Sequence, residues 1–326
     1  MMHKIHHSAS ILQVLCAILL AGCARAANAT PTPIPTHTSA AADRPAQVQL
    51  LTPAPTSTPI TTATPIYIPQ PPPLISPPPA STMTDVLTTS LADERRANGD
   101  SYTRNIYERP YTAEDMDYID YLDIGRVISI GISGEWVFVS IPLAGVPPAG
   151  NQAYYAVELD LNIDGRGDWL FYAPSPDSSE WAQEGLMILI DSNVDVGGIS
   201  PSAPDEPSSQ ADGFDARVFN QGEGLDPDAA WVRRDPENPA TIQFAFKHGL
   251  IANDRRFLWR VIASGSEIDP HMFELNDHFS LEEAGSPLLT SPHYPIKAVA
   301  LIDSSCRWSY GFTPLGTEPG ICGGSN

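Results

Sequence analysis

The chain has few basic residues and no apolar run long enough to cross a bilayer as a helix. Its 326 residues include 18 Lys and Arg against 39 Asp and Glu, which gives a formal net charge of −21. Nucleic acids and anionic lipid surfaces attract clustered Lys and Arg, so this balance argues against both as partners. The apolar run at residues 11–20 has about half of the roughly 20 residues that a membrane-spanning helix needs.

The sequence also lacks the short motifs of several large enzyme classes. It contains no Gly-x-Ser-x-Gly, no His-Glu-x-x-His and no Gly-x-x-x-x-Gly-Lys, which are the motifs of serine hydrolases, zinc proteases and P-loop proteins. Glycoside hydrolysis needs only two carboxylates at a set separation, so a glycan hydrolase stays open as an alternative. The sequence leaves the question of catalysis undecided and favours a non-catalytic protein.

The N-terminus indicates export. A weakly basic start with Lys4 precedes the apolar run, which is the layout of a secretory signal over residues 1–22. The run ends in Leu20-Ala21-Gly22-Cys23, which resembles the lipobox of bacterial lipoproteins. The resemblance implies that Cys23 becomes the new N-terminus and carries lipid, palmitate included. It also implies that the protein is anchored on the extracytoplasmic side of a cell membrane. An ordinary secretory signal is the alternative.

A Pro-rich linker is expected to follow, over residues 23–84. Fifteen of the 58 residues from 27 to 84 are proline, and Thr, Ser and Ala make up much of the rest. Such a composition cannot bury a core and favours extended polyproline II or disorder. The linker therefore predicts a stalk or flexible spacer between the membrane and a domain at 85–326.

The remainder has the pattern of a mainly β domain. Short stretches of alternating or continuous apolar residues are separated by Pro and Gly clusters, a pattern that favours a β-sandwich with a few short helices. The predicted strands lie at 126–132, 135–141, 153–161, 169–172, 186–190, 214–219, 241–246 and 257–263. A short helix is predicted within 85–97, and a single helical turn within 245–252.

Two acidic loops are candidate calcium sites. The first places oxygen-bearing side chains at positions 1, 3, 5 and 9 around a glycine at position 6, a spacing that suits a hard cation. It resembles the calcium loops on β-hairpins of integrin-type propeller repeats, a likeness that covers nine residues and implies no propeller. The expected ligands are Asp160, Asn162, Asp164 and Asp168, with the backbone carbonyl of Arg166. A polar hairpin turn is the alternative.

The second loop repeats the first three positions of that spacing. It contains Asp191, Asn193 and Asp195 and delays its glycine to position 197. The sequence favours a calcium site and a plain turn equally at this loop. Any calcium here is expected to be structural.

Four cysteines are present. Cys16 lies in the signal and Cys23 is the predicted lipidation site, so Cys306 and Cys322 remain for an oxidising compartment. Their spacing predicts one disulfide that fixes the Gly- and Pro-rich C-terminus.

From about 120 to 265, the strand succession loosely resembles DOMON-like domains and the carbohydrate-binding sandwiches appended to xylanases. Uncharacterised lipoproteins of filamentous environmental bacteria are similar as well. These resemblances imply a calcium-stabilised, non-catalytic domain that binds a glycan or another envelope partner. A glycan hydrolase and a purely structural envelope protein are the alternatives.

Overall fold

The computed structural model describes residues 67–74, 76–197, 211–224 and 226–322. The predicted signal, Cys23 and the linker up to residue 66 lie outside this part of the chain. Within it the protein is mainly β, which confirms the predicted fold class. None of the helices in the described residues has the length and apolar character needed to cross a membrane.

Two antiparallel sheets form the domain as far as the structure describes it. The smaller sheet has the strand order β1-β3-β4-β11-β10, and the larger has the order β2-β13-β12-β5-β6-β7-β8-β9, with β14 also paired to β12. The bounds are β1 Ser81–Met83, β2 Glu108–Arg109, β3 Ile128–Ser133, β4 Trp136–Pro142, β5 Tyr154–Asp160, β6 Trp169–Pro174, β7 Met187–Ile190, β8 Ala216–Asn220, β9 Glu223–Gly224, β10 Ala230–Arg234, β11 Thr241–Lys247, β12 Phe257–Ser264, β13 Ile302–Ser304 and β14 Trp308–Tyr310.

The main core lies between the two sheets. Alternate residues of β4 and β5 point into it, among them Val137, Val139 and Val157. Phe171 and Phe246 belong to different sheets and stack there with ring centroids 3.9 Å apart. The alternating apolar residues of these strands therefore mark the face that packs against the opposite sheet.

The outer face of the larger sheet is covered as well. Strand β12 is buried along its whole length, because a second apolar cluster packs on the face away from the core. Tyr102, Tyr107, Ile262 and Phe273 belong to this cluster. The segments that supply it are mostly irregular, with short 3-10 turns at Tyr102–Arg104, Pro270–Met272 and Leu275–Asp277. A polar side chain on that face of β12 is thus sealed from water.

Helices are short in the described residues. Within the predicted helix at 85–97 the structure has one turn, α1 Thr89–Ala92, and within 245–252 it has a 3-10 turn, His248–Ile251. Helix α2, Leu281–Ala284, begins with a capping box in which Ser280 and Glu283 satisfy each other's backbone N–H groups.

The folded domain begins earlier than the predicted boundary at residue 85. Strand β1 pairs with β3, and Met83 is buried in the main core. Ser81 Oγ donates a hydrogen bond to the carbonyl of Ser309, 2.8 Å away. The end of the predicted linker is therefore part of the sheet. Strand β1 itself contains no proline, and its three residues are too few to stand out from the Pro-rich sequence before them.

Cys306 and Cys322 are joined by a disulfide, with their Cα atoms 5.0 Å apart. The two ends of the loop between these cysteines also pair through their backbones, because Arg307 and Ile321 form a parallel bridge. The disulfide thus holds the last described residues against the segment that leads into β14.

Candidate metal centre

Three buried acids meet at one edge of the larger sheet. Glu108 on β2 and Asp303 on β13 face each other in register, and Asp85 follows directly after β1. Their exposed fractions are 0%, 0% and 7%. We call these three residues the carboxylate triad. It brings two acids from the beginning of the domain together with one from near its end.

The triad has the geometry of a cation site. One carboxylate oxygen from each residue lies within 4.8 Å of the other two. A calcium ion with oxygen ligands at 2.3–2.6 Å holds opposite ligands about 5 Å apart, so these separations suit it. The three acids are close enough to share one ion without a rearrangement of the backbone.

Most of the triad's oxygens are not satisfied by the protein. Asp303 Oδ2 accepts the backbone N–H of Ile124 at 2.6 Å. In contrast, Asp85 Oδ2, both oxygens of Glu108 and Asp303 Oδ1 are buried and accept no hydrogen bond from the described residues. A buried carboxylate without a partner costs several kcal/mol, so the triad requires a proton or a cation.

The electrostatic surroundings add to this requirement. Burial, followed by the charges of Asp303, Asp85, Asp123 and Asp100, raises the pKa of Glu108 well above its usual range. Burial likewise raises the pKa of Asp303, and it raises the pKa of Asp85 to about 7. Asp85 and Glu108 can hydrogen-bond to each other only when one of the two carboxyl groups carries a proton. The three carboxyl groups therefore hold protons more strongly than isolated carboxyl groups do.

A fourth acid beside the triad has its own partners. Asp123 accepts hydrogen bonds from the backbone N–H and the hydroxyl of Thr88 and from the hydroxyl of Tyr118. Its charge still raises the pKa of Asp85 and Asp303. Asp123 therefore adds negative potential without competing for the free oxygens of the triad.

Gly99 closes the site from one side. Its φ of +89° is in the region that favours glycine, and a Cβ there would lie 3.0 Å from Glu108 Cγ and 3.0 Å from Val86 Cγ2. A larger residue would press on the Glu108 side chain. Gly99 thus allows the chain to pass close to the carboxylate and to exclude water.

The donor set favours a hard cation. All free donors are carboxylate oxygens, which select hard cations rather than zinc or copper. Both oxygens of Glu108 are free, and calcium accepts such bidentate carboxylates. Magnesium keeps several waters, which a site this deeply buried does not readily admit.

The first predicted loop joins β5 to β6 and uses its acids as backbone acceptors. Asp160, which is buried, accepts the N–H groups of Ile163 at 2.6 Å and Gly165 at 2.8 Å. Asp168 accepts the N–H of Leu161 at 2.6 Å. Asn162 Oδ1 and Asp164 Oδ1 each accept an N–H two residues further on, at 2.9 Å.

The second loop follows β7 and has the same organisation. Asp191 accepts the N–H groups of Val194 at 2.7 Å and Val196 at 2.9 Å. Asn193 Nδ2 donates to Asp195 at 3.2 Å. The loops are neighbours, since Arg166 Nη1 donates to the carbonyl of Val196 at 2.9 Å.

The loop acids do not gather as the triad does. Within the described residues, the triad is the one set of three acids, histidines or cysteines whose ligand atoms meet the 4.8 Å spacing. Calcium at the two loops stays a prediction. Cys23 lies outside the described residues.

Sequence reasoning missed the triad. Each of its acids stands alone in the sequence, and two of them lie on strands of two or three residues. The one local signal is that Asp303 follows Leu301 and Ile302 in an otherwise apolar stretch.

Searches against protein-family models, curated proteins and solved structures find no match to this chain. The candidate site therefore rests on the geometry and chemistry of its own residues.

Proposed function

We propose that this protein is a lipid-anchored extracytoplasmic module whose non-catalytic binding domain is stabilised by calcium at the carboxylate triad. The observation that carries the calcium part is the set of four buried carboxylate oxygens without a hydrogen-bond partner in the described residues. The proposed location is supported by the sequence resemblance at Cys23 and by the disulfide between Cys306 and Cys322, since disulfides persist outside the cytoplasm.

Calcium at this place acts on the fold. The triad joins the segment after β1, strand β2 and strand β13, which are distant in the sequence. One ion neutralises their mutual repulsion and links all three segments. Because calcium is millimolar outside many cells and scarce inside, such a site favours the folded domain after export.

A cavity on the other face of β13 supports the binding role. It has a volume of about 230 Å³. Ile268, Met272, Leu275, Phe279 and Ile302 give it apolar walls, with Glu267 and Asp269 beside them. Ile302 is adjacent to Asp303, so an ion at the triad would also fix one wall of the cavity. The partner expected from the sequence, a glycan or an envelope protein, stays a prediction.

Thermal unfolding of the purified protein tests the calcium proposal. At about 1 mM calcium and a Kd of about 10 μM, the ion adds about 2.7 kcal/mol over chelator. For a domain of this size this corresponds to a rise in Tm of roughly 5–10 °C. The variant Glu108→Gln should lose the rise and should be at least as stable as the wild type in chelator, because Gln is buried without the uptake of a proton that Glu108 needs.

Glu94→Gln is the matched control. Glu94 is an exposed acid, so this variant makes the same change of charge and should keep the full calcium effect. If calcium raises the Tm of Glu108→Gln as much as that of the wild type, the triad does not hold the ion. No calcium effect on any of the three proteins would contradict the proposal as a whole.

A further inference from the structure

A Pro-rich segment crosses the outer face of the smaller sheet. We call residues 67–74 and 76–79 the strap. At one end Tyr67 donates its hydroxyl, and Gln70 its backbone N–H at 2.8 Å, to the carboxylate of Asp228, which precedes β10. At the other end Pro77 and Pro78 pass over Gly131 of β3, where a Cβ would lie 2.9 Å from the Pro78 carbonyl oxygen. The strap then enters β1.

Aromatic side chains line the strap's path. Phe138, Ala245 and Trp231 lie side by side on β4, β11 and β10. They form one buried cluster with Trp136 and Trp181. The small Ala245 lies between two large rings in this face of the sheet. We call these five residues the aromatic groove.

Side chains at the groove donate hydrogen bonds to backbone carbonyls of the strap. Trp181 Nε1 donates to the carbonyl of Pro73 at 3.3 Å, and Arg233 Nη2 donates to the carbonyl of Leu74 at 2.7 Å. Pro72, between these contacts and Gln70, is buried. Polyproline II has no internal hydrogen bonds, so its carbonyls are free for such donors. Aromatic grooves use this property to recognise proline-rich segments.

The arginine is fixed in place before it meets the strap. Its guanidinium lies 4.1 Å from the ring centre of Trp181. Its Nε donates to Gln243 Oε1 at 2.8 Å, and Gln243 in turn donates to Asp235 at 3.0 Å. A donor held in this way loses little conformational entropy when it binds a carbonyl.

Two donors of this face remain without a partner. Arg233 Nη1 and Trp231 Nε1 are buried and have no acceptor among the described residues. Arg233 is 2% exposed and Trp231 is 6% exposed. Buried N–H groups of this kind call for carbonyl acceptors, which an extended peptide supplies at regular intervals. The groove therefore has more N–H donors than the docked residues 70–74 occupy.

We propose that the aromatic groove is a polyproline-binding site and that residues 70–74 of the same chain are its ligand. The Pro-rich linker thus leaves the domain near Asp228, at the edge formed by β10, instead of at residue 85. The site recognises proline-rich backbone in an extended conformation. It does not depend on the calcium proposal, because no residue of the triad belongs to the groove or to the strap.

Competition by a peptide in trans tests this proposal. In the full chain, replacement of Pro71, Pro72 and Pro73 by Gly-Ser-Gly should release the strap. A synthetic peptide with the sequence of residues 67–80 should then bind this variant and change its tryptophan fluorescence. The wild type should bind the peptide at least tenfold more weakly, because its own strap is present at millimolar effective concentration.

Two controls test the contacts. A peptide with alanines in place of the three prolines should bind the released variant at least tenfold more weakly. Adding Trp181→Phe to that variant keeps an aromatic ring at this position and removes the N–H donor, which should weaken binding at least fivefold. In the wild-type background, Trp181→Phe should also speed chymotryptic cleavage after Tyr67 and Leu74. The cleavage rate tests the proposal even if the released variant does not fold.

Several results would overturn the proposal. These are equal peptide binding by the wild type and the released variant, equal binding of the alanine peptide, or no binding to a folded released variant. An unchanged cleavage rate in Trp181→Phe would do the same. A wild-type dimer that the peptide dissociates would assign the ligand to a second copy and overturn the assignment to the same chain.

Discussion

Two groups of buried acids in this domain differ in whether basic side chains pair with them. Glu158 and Glu274 lie on the covered outer face of the larger sheet, and two arginines neutralise them. Arg260 Nη2 is 2.6 Å from Glu158 Oε2, and Arg307 Nη2 is 2.6 Å from Glu158 Oε1 and 3.2 Å from Glu274 Oε1. Arg260 also pairs with Glu274. We call these four residues the arginine–glutamate network. At the carboxylate triad, the charged neighbours that shift the pKa of Glu108 are all acids.

The pKa values show the difference. Burial alone would raise the pKa of Glu158, but the charges of Arg260 and Arg307 outweigh it and lower the pKa to about 2. Burial raises the pKa of Glu108 well above its usual range, and its neighbours add to the shift. The arginines thus keep Glu158 charged, although burial still raises the pKa of Glu274 in the same network to about 7. At the triad, the charged neighbours of Glu108 are all acids and none is a cation. This contrast is the physical reason to expect a cation from solution there.

The largest effect is expected when the network loses one cation. Arg260→Leu leaves Glu158 and Glu274 buried with Arg307 alone, and removal of one partner of a buried pair costs about 3–5 kcal/mol. Urea unfolding should show a loss of free energy in this range, with or without calcium.

Glu94→Ala provides the comparison for this variant. Glu94 pairs with Arg96 at the surface, and such pairs contribute less than about 1 kcal/mol. If Arg260→Leu costs no more than Glu94→Ala, the network does not stabilise the fold and the contrast with the triad is lost.

A second effect is the pH dependence of the metal-free protein. Aspartate and glutamate in the unfolded chain have pKa values of about 4. In the folded protein the pKa of Asp85 is about 7, and those of Glu108 and Asp303 are well above their usual range. The folded state therefore retains protons that the unfolded state releases. This part of the stability is present below about pH 4 and is lost as the pH rises through about 7.

Unfolding in chelator should therefore show a falling free energy between about pH 5 and pH 7.5, by up to about 1.4 kcal/mol per pH unit for each retained proton. If calcium binds the deprotonated triad as proposed, it should remove most of this slope. Glu274, whose pKa burial also raises to about 7, contributes a part that calcium leaves unchanged. Equal slopes with calcium and with chelator would show that the triad does not exchange protons for the ion.

The sequence predicted those strands that are long enough to show a regular pattern of apolar residues. The predicted strand at 257–263 matches β12, Phe257–Ser264, and the one at 241–246 matches β11, Thr241–Lys247. Both have enough residues for a pattern. Strands β2 and β13 have two and three residues, which is too few for any period. Their existence depends on pairing between distant segments, and a single sequence does not encode that pairing in its spacing.

The same reason separates the two kinds of acidic site. Asp160, Asp164 and Asp168 attracted attention because they share one loop, where spacing is visible in the sequence. Asp85 and Asp303 become neighbours only after β1 and β13 have joined their sheets. The aromatic groove could not be predicted for the same reason. The Pro-rich sequence around Pro72 does not show whether this residue packs against the domain. Its docking depends on Trp181 and Arg233, which lie far along the chain.

The smallest effect concerns the first loop and tests whether local spacing alone marks a metal site. Asp164 accepts one exposed N–H, from Arg166 at 2.9 Å, so Asp164→Ala should cost less than about 1 kcal/mol in chelator. If the loop binds calcium, the variant should lose more stability in calcium than in chelator, while Glu108→Gln keeps whatever increment the loop provides. An equal small loss in both conditions would make the loop a hydrogen-bonded turn. Calcium dependence would then belong to the triad, where three distant segments bring unpaired oxygens together.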